Sequence, residues 1–422
     1  MISTNIIRTF FSRSGTAIIN LVVVMISARL LGDEGMGMIS LLILAVTINA
    51  LVVGLWGGAG LVYLTPRHPV KNIIIVGYVW SVIASLIVIS IFRYFTLYPV
   101  NFGVHVYLLV IINSFGSINM YLLLGKEKIK AHNIITFLQS LLLLSAILFQ
   151  FFIIVYVDVV AYLWALYFSF GFVWVSSSIV LLISKKSIIS KSISETLKHT
   201  FQYSWVLQTG SGIQLINYRF SYYLIDFFLG TAMLGRFSVA VQVAEGIWIL
   251  GKSFGLVLYS RVSNINSITE AIKTSIPLLK LTTIATFFAT IIILLLPSSF
   301  FTFLFGKDFT HIHGILLFLA PGILFVSATM MFSSLFSGIG MIKVNTQGSI
   351  VGLISTILLS VWMIYYFGIT GAAIATSLSY FSSFIYAQYH FNKISGMGLS
   401  VYKVTQDDIK RIRELVLGFF GK

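Results

Sequence analysis

The chain has 422 residues, of which 58% are hydrophobic and only 9% are charged, and it contains no cysteine. This composition excludes an ordinary soluble domain, and the lack of cysteine excludes disulfides and thiol chemistry. The formal net charge of +15 does not call for nucleic acid, because basic loops beside membrane helices bind anionic lipid headgroups. The sequence therefore predicts a polytopic membrane protein whose partners include membrane lipids and no nucleic acid.

Predicted membrane helices fill most of the chain. A hydrocarbon layer about 30 Å thick needs roughly 20 helical residues per span, which leaves room for about a dozen spans. Apolar runs between polar breaks predict an all-α protein with spans at 10–31, 36–64, 72–92, 100–124, 133–157, 159–183, 202–229, 234–258, 274–304, 312–337, 345–367 and 371–391.

The basic residues of the loops are distributed unequally between the two ends of these helices. If the N-terminus is cytoplasmic, Arg93, Arg236 and Lys307 fall on the outer side and the remaining loop Lys and Arg residues fall inside. This is the asymmetry of the positive-inside rule. We therefore expect a multi-pass protein with both termini in the cytoplasm.

A polar segment at 184–200 separates two groups of six predicted helices, one lobe at 1–183 and another at 201–391. The sequence LGDEGMGMIS at 31–40 aligns with LGTAMLGRFS at 229–238 at a constant offset of 198, which indicates an internal duplication. Two lobes in the same orientation are a transporter architecture, and the substrate path is then expected between them.

The chain end at 392–422 differs from the spans. Apolar residues recur there at helical spacing from Ile409 to Phe420, while Lys410 and Arg411 lie on the other face. This pattern predicts an amphipathic cytoplasmic tail that lies on the membrane surface.

Charged side chains inside the predicted spans mark the candidate site, because each costs about 2.5–3.5 kcal/mol at a helix centre. Cations outnumber acids, which suits a phosphate-bearing anion. Neutral amides add uncharged hydrogen-bond donors and acceptors. The candidate substrate-binding residues are Arg219, Arg13, Arg29, Lys252, Lys280, Gln208, Asn217 and Gln242, with Gln202 and Gln214 as further amides.

Two acids, Asp226 and Glu245, are the candidates for coupling transport to a proton or a sodium ion. Simpler interpretations remain open for the charged residues. Arg29 precedes Asp33 by four residues and lies near a helix end, so pairing or snorkelling can explain it. Arg219 can pair with a neighbour, although Asp226 is about 10 Å further along the same helix.

Other residue patterns point to conformational change rather than catalysis. Gly54, Gly57, Gly58 and Gly60 crowd one predicted span, and Pro321 with Gly322 is expected to interrupt another. His311 and His313 lack carboxylate or thiol partners, so no metal site is expected. No nucleophile or phosphate-binding glycine loop is present in the sequence, which favours a transporter without cofactors over an enzyme.

Five segments, in this order and spacing, resemble the polysaccharide-transporter branch of the multidrug/oligosaccharidyl-lipid/polysaccharide (MOP) exporter superfamily, which includes the Wzx-type O-antigen flippases. They are ARLLGDEGMGMISLL at 28–42, GLWGGAGLVYLTPRH at 54–68, LGRFSVAVQVAEGIW at 234–248, FGKDF at 305–309 and YFGITGAAIATSLSY at 366–380. The resemblance extends from Arg8 to about Phe391.

The resemblance implies a MATE-like fold of two six-helix lobes in a V shape. It also implies a flippase that moves undecaprenyl-pyrophosphate-linked oligosaccharide repeat units from the cytoplasmic to the periplasmic leaflet of the bacterial inner membrane by alternating access. Such a protein serves the synthesis of O-antigen, the outer part of lipopolysaccharide, or of a related surface polysaccharide. It is expected to work with other polysaccharide-assembly proteins.

Three other functions compete with this interpretation. A cation-coupled multidrug exporter of the same superfamily is the nearest rival, but a site for cationic drugs calls for more acids than bases. A major-facilitator transporter would carry a glycine, aspartate and arginine signature that is missing from YLTPRHPVKN at 63–72. A membrane polymerase or glycosyltransferase would need a larger outer loop or an exposed acidic site.

Overall fold

The computed structural model describes residues 2–184, 192–265 and 267–403, with side chains from residue 15 onward except at 206 and 207. Over these residues the regular structure is entirely helical. The α-helices are α1 (Ile2–Gly57), α2 (Gly60–Leu64), α3 (Val70–Tyr94), α4 (Gly103–Gly125), α5 (Ile129–Leu148), α6 (Val159–Leu182), α7 (Ile193–Leu229), α8 (Thr231–Val262), α9 (Ile268–Leu295), α10 (Ser298–Phe305), α11 (Ile312–Gly338) and α12 (Ile342–Ser395). Short helices of other types cover Val100–Phe102, Phe149–Ile153, Lys307–Phe309 and Leu399–Tyr402.

Within the described residues, nine helical segments are long and apolar enough to cross a membrane. Two of the nine are double length, and each bends at a glycine in a left-handed conformation: Gly32 with φ 70° and Gly368 with φ 59°. Helix α7 is also long enough at 37 residues, although its polar side chains lower its hydropathy. Each of the twelve predicted spans therefore corresponds to a helical segment, and the multi-pass prediction is confirmed.

Three details of the predicted spans are wrong. The span 36–64 is broken between Gly57 and Gly60, and the span 274–304 ends at Leu295, because Pro297 separates α9 from the short α10. By contrast, Pro321 does not interrupt its helix, since α11 continues through it. The Ser377 hydroxyl of α12 donates to the Phe318 carbonyl at 2.6 Å, one turn before the proline, as expected when a neighbouring helix satisfies backbone groups near a membrane proline.

The described residues divide into two compact units. Unit 1 comprises the described part of Met1–Gly212, with Gly230–Ser238 and Leu304–Phe309. Helices α4 and α5 pack on α6 within this unit, and α1 contacts α3, α4 and α5. The interior includes Leu61, Ile118 and Leu122, each fully buried.

Unit 2 comprises Ile213–Leu229, Val239–Phe303 and the described part of Thr310–Lys422. Its main contacts are made by α11, which packs on α12 and on α9. Phe332, Phe336 and Phe391 are almost fully buried in its core. The predicted tail helix beyond Thr405 lies outside the described residues.

Candidate functional site

Arg219 of α7 makes an ion pair inside unit 2. Its Nη2 atom lies 2.6 Å from Oε1 of Glu245 on α8, and its Nη1 donates to the Tyr222 hydroxyl at 2.7 Å. The side chains of Arg219 and Glu245 are 23% and 24% exposed, so the pair is mostly but not completely enclosed. Gly230 is the single residue between α7 and α8. The chain reverses its direction there, so α8 runs antiparallel to α7 and Glu245 lies beside Arg219.

Aromatic rings surround this pair. Tyr218, Trp248 and Tyr380 contact one another with centroid distances of 5.4, 5.4 and 5.7 Å. The Tyr222 ring lies 5.0 Å from the Arg219 guanidinium carbon. Tyr222, Trp248 and Tyr380 are buried, each with at most 5% of its surface exposed, and Tyr218 is half-buried. The site is therefore an aromatic enclosure around one strong cation and one strong anion.

Arg219 and Glu245 can each exchange the other for a ligand of the same charge. A guanidinium offers five N–H donors in a planar fork and binds carboxylate or phosphate with the same geometry. Glu245 occupies part of that fork at present. An anionic ligand can therefore replace Glu245 on Arg219, and a cation can replace Arg219 on Glu245. We call Arg219, Glu245, Tyr218, Tyr222, Trp248 and Tyr380 the charge-pair site.

The partner of Arg219 was not identified from the sequence, which drew attention to Asp226 on the same helix. Asp226 lies seven residues beyond Arg219 and is half-buried, but Arg219 forms an ion pair with Glu245 of the next helix. The reason is geometric, since seven residues separate two side chains by about 10 Å along a helix axis. The candidates Arg219 and Glu245 are thus brought together.

Asn217 lies beside the charge-pair site on α7, but its side chain is already engaged. Its Oδ1 atom accepts hydrogen bonds from Thr356 at 2.6 Å and from Ser379 at 2.9 Å. Asn217 is 6% exposed, and its amide also packs on Gly352, where a Cβ atom would lie 2.5 Å from Nδ2. This geometry makes Asn217 a link between α7 and α12 rather than an open donor.

Gln208 and Gln242 have different surroundings. Gln208 belongs to unit 1, where its amide lies directly on Gly54, so that a Cβ atom at Gly54 would overlap it. Its position is explained by packing between α7 and α1. Gln242 is half-buried in unit 2 and lies on α8, one turn before Glu245 of the charge-pair site.

Among the remaining predicted cations, Lys252 lies beside the Trp248 ring of the charge-pair site, Lys280 has another partner, and Arg29 belongs to unit 1. Lys252 is exposed, with its ammonium 5.9 Å from the Trp248 ring centroid. Lys280 is 6% exposed, and its Nζ donates to the Lys403 carbonyl at 2.7 Å. Arg29 is exposed near the bend at Gly32. The side chain of Arg13 lies outside the described residues.

A second ion pair was missed in the sequence. Asp33 of α1 accepts from both Nε and Nη2 of Arg236, each at 2.7 Å, inside unit 1. The two residues come from the segments 31–40 and 229–238, which align in the sequence. That alignment was the one signal that could have brought them together, but Arg236 was considered only as a loop charge.

The same two segments pack through glycines. A Cβ atom at Gly37 would overlap the Thr231 carbonyl, and one at Gly235 would overlap the Asp33 carbonyl. In the alignment Gly37 matches Gly235 and Asp33 matches Thr231, so the two contacts are equivalent. Reciprocal contacts of this kind are expected between copies related by a two-fold axis. We call this the repeat contact.

The FGKDF segment at 305–309 packs on α1 near the bend at Gly32. Gly306 has φ 106°, and a Cβ atom there would lie 3.3 Å from the Arg29 Cα. A Cβ atom at Gly32 would lie 2.9 Å from Oδ2 of Asp308. The two positive-φ glycines thus let this segment approach the bend of α1 closely.

Metal-binding groups are not clustered in the described part of the chain, where no three His, Cys, Asp or Glu residues lie close enough to hold an ion. His313, which had been considered with His311, donates from Nε2 to the Leu294 carbonyl at 2.9 Å. Because a carbonyl has no proton to donate, Nε2 carries the hydrogen. That nitrogen is therefore occupied by a backbone bond.

The sequence matches no protein-family model and no curated protein. The structure is similar to an inward-facing multidrug resistance MATE family transporter of the MOP superfamily, with 17% identity, a TM-score of 0.70, and 90% of this chain and 95% of that chain covered. It is also similar to the lipid II flippase MurJ in an inward closed conformation, with 16% identity, a TM-score of 0.72, and coverage of 98% and 92%.

A third similar structure is a MOP superfamily transporter from Pyrococcus furiosus, with 15% identity, a TM-score of 0.62, and coverage of 93% and 96%. All three similar structures are transporters or flippases, and each is matched over nearly its whole length. Identities this low establish architecture and leave substrate open. The chain is therefore a multi-pass membrane protein with the fold of the MOP-superfamily transporters.

Proposed function

We propose that this protein is a flippase for lipid-linked oligosaccharides, in which Arg219 binds the diphosphate of an undecaprenyl carrier. The observation that carries the proposal is the ion pair of Arg219 with Glu245 at 2.6 Å inside a largely apolar helix bundle. Ionisable residues are energetically costly within membrane-spanning helices and are therefore rare there, and those that occur usually have a function. The similarity to a lipid II flippase supports the same substrate class.

In the proposed cycle, Glu245 and the substrate compete for Arg219. When Glu245 takes up a proton or a sodium ion, its attraction for the guanidinium falls and the fork becomes available to phosphate oxygens. When the diphosphate leaves on the other side, the ion pair forms again. Tyr222 keeps one Nη1–H occupied throughout, so that it holds the orientation of the fork.

A cation-coupled exporter of small molecules is a second candidate, and a specific feature favours it. Tyr218, Trp248 and Tyr380 present aromatic surface beside Glu245, and aromatic faces with one carboxylate attract organic cations. In that case the cation would displace Arg219 from Glu245. The similarity to a multidrug MATE transporter is compatible with this function.

The proposal includes the setting of the protein. The flippase lies in the bacterial cytoplasmic membrane with both termini inside, and it delivers repeat units for O-antigen, lipopolysaccharide or a related surface polysaccharide. Other polysaccharide-assembly proteins then take up its product. The charge distribution over the loops supports this orientation.

The first test is surface polysaccharide in a strain that lacks its own flippase, normalised to inserted protein. We expect Arg219→Ala to lower display at least tenfold and Arg219→Lys to restore only part of it, because an ammonium lacks the planar fork. Arg67→Ala is the matched control, since Arg67 also lies over a tyrosine ring, at 3.7 Å from Tyr63, but outside the charge-pair site. Full display with Arg219→Ala would remove Arg219 from the mechanism.

A double variant separates function from stability. Removing one partner of an enclosed ion pair leaves the other uncompensated, whereas removing both is often tolerated. We therefore expect Arg219→Met with Glu245→Leu to restore protein abundance relative to the single variants but not polysaccharide display. Recovery of display in the double variant would show that the pair is only structural.

A further inference from the structure

A polar cavity of about 220 Å³ lies inside unit 1, apart from the charge-pair site. Helix α4 contributes Asn113, Ser117 and Tyr121, which are four residues apart and so share one helix face. Helix α5 contributes His132 and Gln139, seven residues apart and likewise on one face. Each of these two apolar membrane helices therefore lines the cavity with a row of polar side chains.

These side chains differ from the other polar groups of the same helices. Asn119 of α4 accepts from Tyr78 at 3.1 Å and donates to Ser178 at 2.9 Å, so it belongs to a satisfied network. Over the described residues, the side chains of the following cavity residues have no hydrogen-bond partner: Asn113, Ser117, Tyr121 and Gln139. Unsatisfied polar groups at membrane depth are costly, so this cavity is expected to hold water or a polar ligand.

The chemistry of the cavity lining selects the class of ligand. The described lining contains amides, a hydroxyl, a phenol and an imidazole, but no Asp, Glu, Lys or Arg. Such groups donate and accept hydrogen bonds without charge, which matches sugar hydroxyls rather than phosphate or a cation. Met120 and Val173 supply an apolar side for the C–H face of a ring.

The size of the cavity indicates a part of a ligand rather than a whole one. Pockets for complete drug-sized ligands are about 300–1,000 Å³, and 220 Å³ is smaller. One ring of a longer glycan fits this scale. From Asn113 to Tyr121 the α4 stripe rises about 12 Å, ending close to the loop at 126–128, which the charge distribution assigns to the cytoplasm.

We propose that this α4–α5 cavity is a subsite for one neutral sugar ring of the transported glycan, entered from the cytoplasmic end of α4. The inference rests on the proposed function for its substrate. It adds a glycan subsite in unit 1 to the diphosphate site in unit 2. Selectivity among glycans then depends on Asn113, Ser117 and Gln139, whereas the carrier lipid is bound by Arg219.

The chain has no cysteine, so a single introduced thiol reports on the cavity. Ser117→Cys in lipid nanodiscs is treated with a charged methanethiosulfonate, with and without undecaprenyl-pyrophosphate-linked oligosaccharide. Leu108→Cys is the matched control, because it lies nine residues earlier on α4, about 180° around the helix, and is 45% exposed on the surface. Asn113→Cys repeats the measurement if Ser117→Cys does not insert.

We expect Ser117→Cys to react, Leu108→Cys to remain unreacted in lipid, and the sugar-bearing lipid to slow the reaction at least fivefold. Undecaprenyl pyrophosphate without sugar should not slow it. The subsite would be overturned if the bare carrier slows the reaction equally, or if the thiols at both cavity positions are unreactive. It would also be overturned if the sugar-bearing lipid does not slow the reaction although native mass spectrometry shows that this lipid is bound. Failure of either lipid to bind at all would instead overturn the proposed function as well.

Discussion

Arg219 and Arg236 each have a carboxylate partner on a different helix. Arg219 pairs with Glu245 in unit 2, and Arg236 pairs with Asp33 in unit 1. Both pairs are formed by residues far apart in sequence or across a hairpin, and both are less than one quarter exposed. Each pair therefore joins two helices and depends on how those helices are placed.

The Asp33–Arg236 pair allows a charge-reversal prediction at the residue scale. Arg236→Gln or Asp33→Asn leaves one charge without its partner, which costs about 1–3 kcal/mol. We expect each single variant to lower the thermal midpoint of the detergent-solubilised protein by several degrees. Asp33→Arg combined with Arg236→Asp should regain most of that loss, and a midpoint no higher than in the single variants would contradict a direct pair.

Gly368 gives a prediction about backbone conformation. Its φ of 59° lies in the left-handed region, although no neighbouring atom would contact an added Cβ atom. Gly368→Ala should therefore cost about 1–3 kcal/mol, through backbone strain and not through a clash. Gly314→Ala is the matched control, because Gly314 also has open space but no positive φ, and its thermal midpoint should be unchanged or higher.

At the scale of whole elements, the repeat contact depends on the absence of side chains. Gly235→Ala would place a methyl group on the Asp33 carbonyl, whereas Gly246→Ala on the same helix α8 meets nothing within 4 Å. We expect Gly235→Ala to reduce protein abundance or thermal midpoint strongly. Gly246→Ala should be neutral or stabilise by up to about 1 kcal/mol, and equal effects of the two would contradict close packing at Gly235.

The helices could be predicted from the sequence because hydropathy and length decide which segments cross a membrane. The bend at Gly32 was predicted as a loop between two spans. Pro321 was misjudged, because a proline breaks a helix only where nothing else satisfies the backbone, and Ser377 does so here. Ser377 lies 59 residues after Phe318, so this contact cannot be recognised from local sequence.

The candidate site was predicted less completely for the same reason. Arg219 and Glu245 were both selected as charged groups within spans, but their pairing depends on the α7–α8 hairpin. Asn217 was selected for its amide, which two hydroxyls from α12 already occupy. The α4–α5 cavity was not predicted, because Asn113, Ser117 and Gln139 are uncharged residues that do not stand out in the sequence. They line a cavity only because α4 and α5 face each other in the fold.

At the scale of the whole molecule, the orientation in the membrane is the first prediction. Single cysteines at two exposed positions, Ser192 and Thr310, should be labelled from opposite sides by an impermeant maleimide. Ser192→Cys should react only after the cytoplasmic side is opened, and Thr310→Cys should react in intact spheroplasts. Labelling of both from one side would contradict the odd number of spans predicted between 192 and 310.

The central claim is that the protein moves lipid-linked oligosaccharide across a membrane, and transport in proteoliposomes tests it most directly. Purified protein is reconstituted with undecaprenyl-pyrophosphate-linked fluorescent oligosaccharide, and the fraction accessible to an external quencher is followed in time. We expect wild type and Arg67→Ala to equilibrate the lipid between leaflets, and Arg219→Ala to remain at the rate of empty liposomes. The flippase would be contradicted if wild type equilibrates the lipid no faster than empty liposomes do. If wild type also moves a lipophilic cation such as tetraphenylphosphonium, and this movement requires Glu245, the exporter would be established instead.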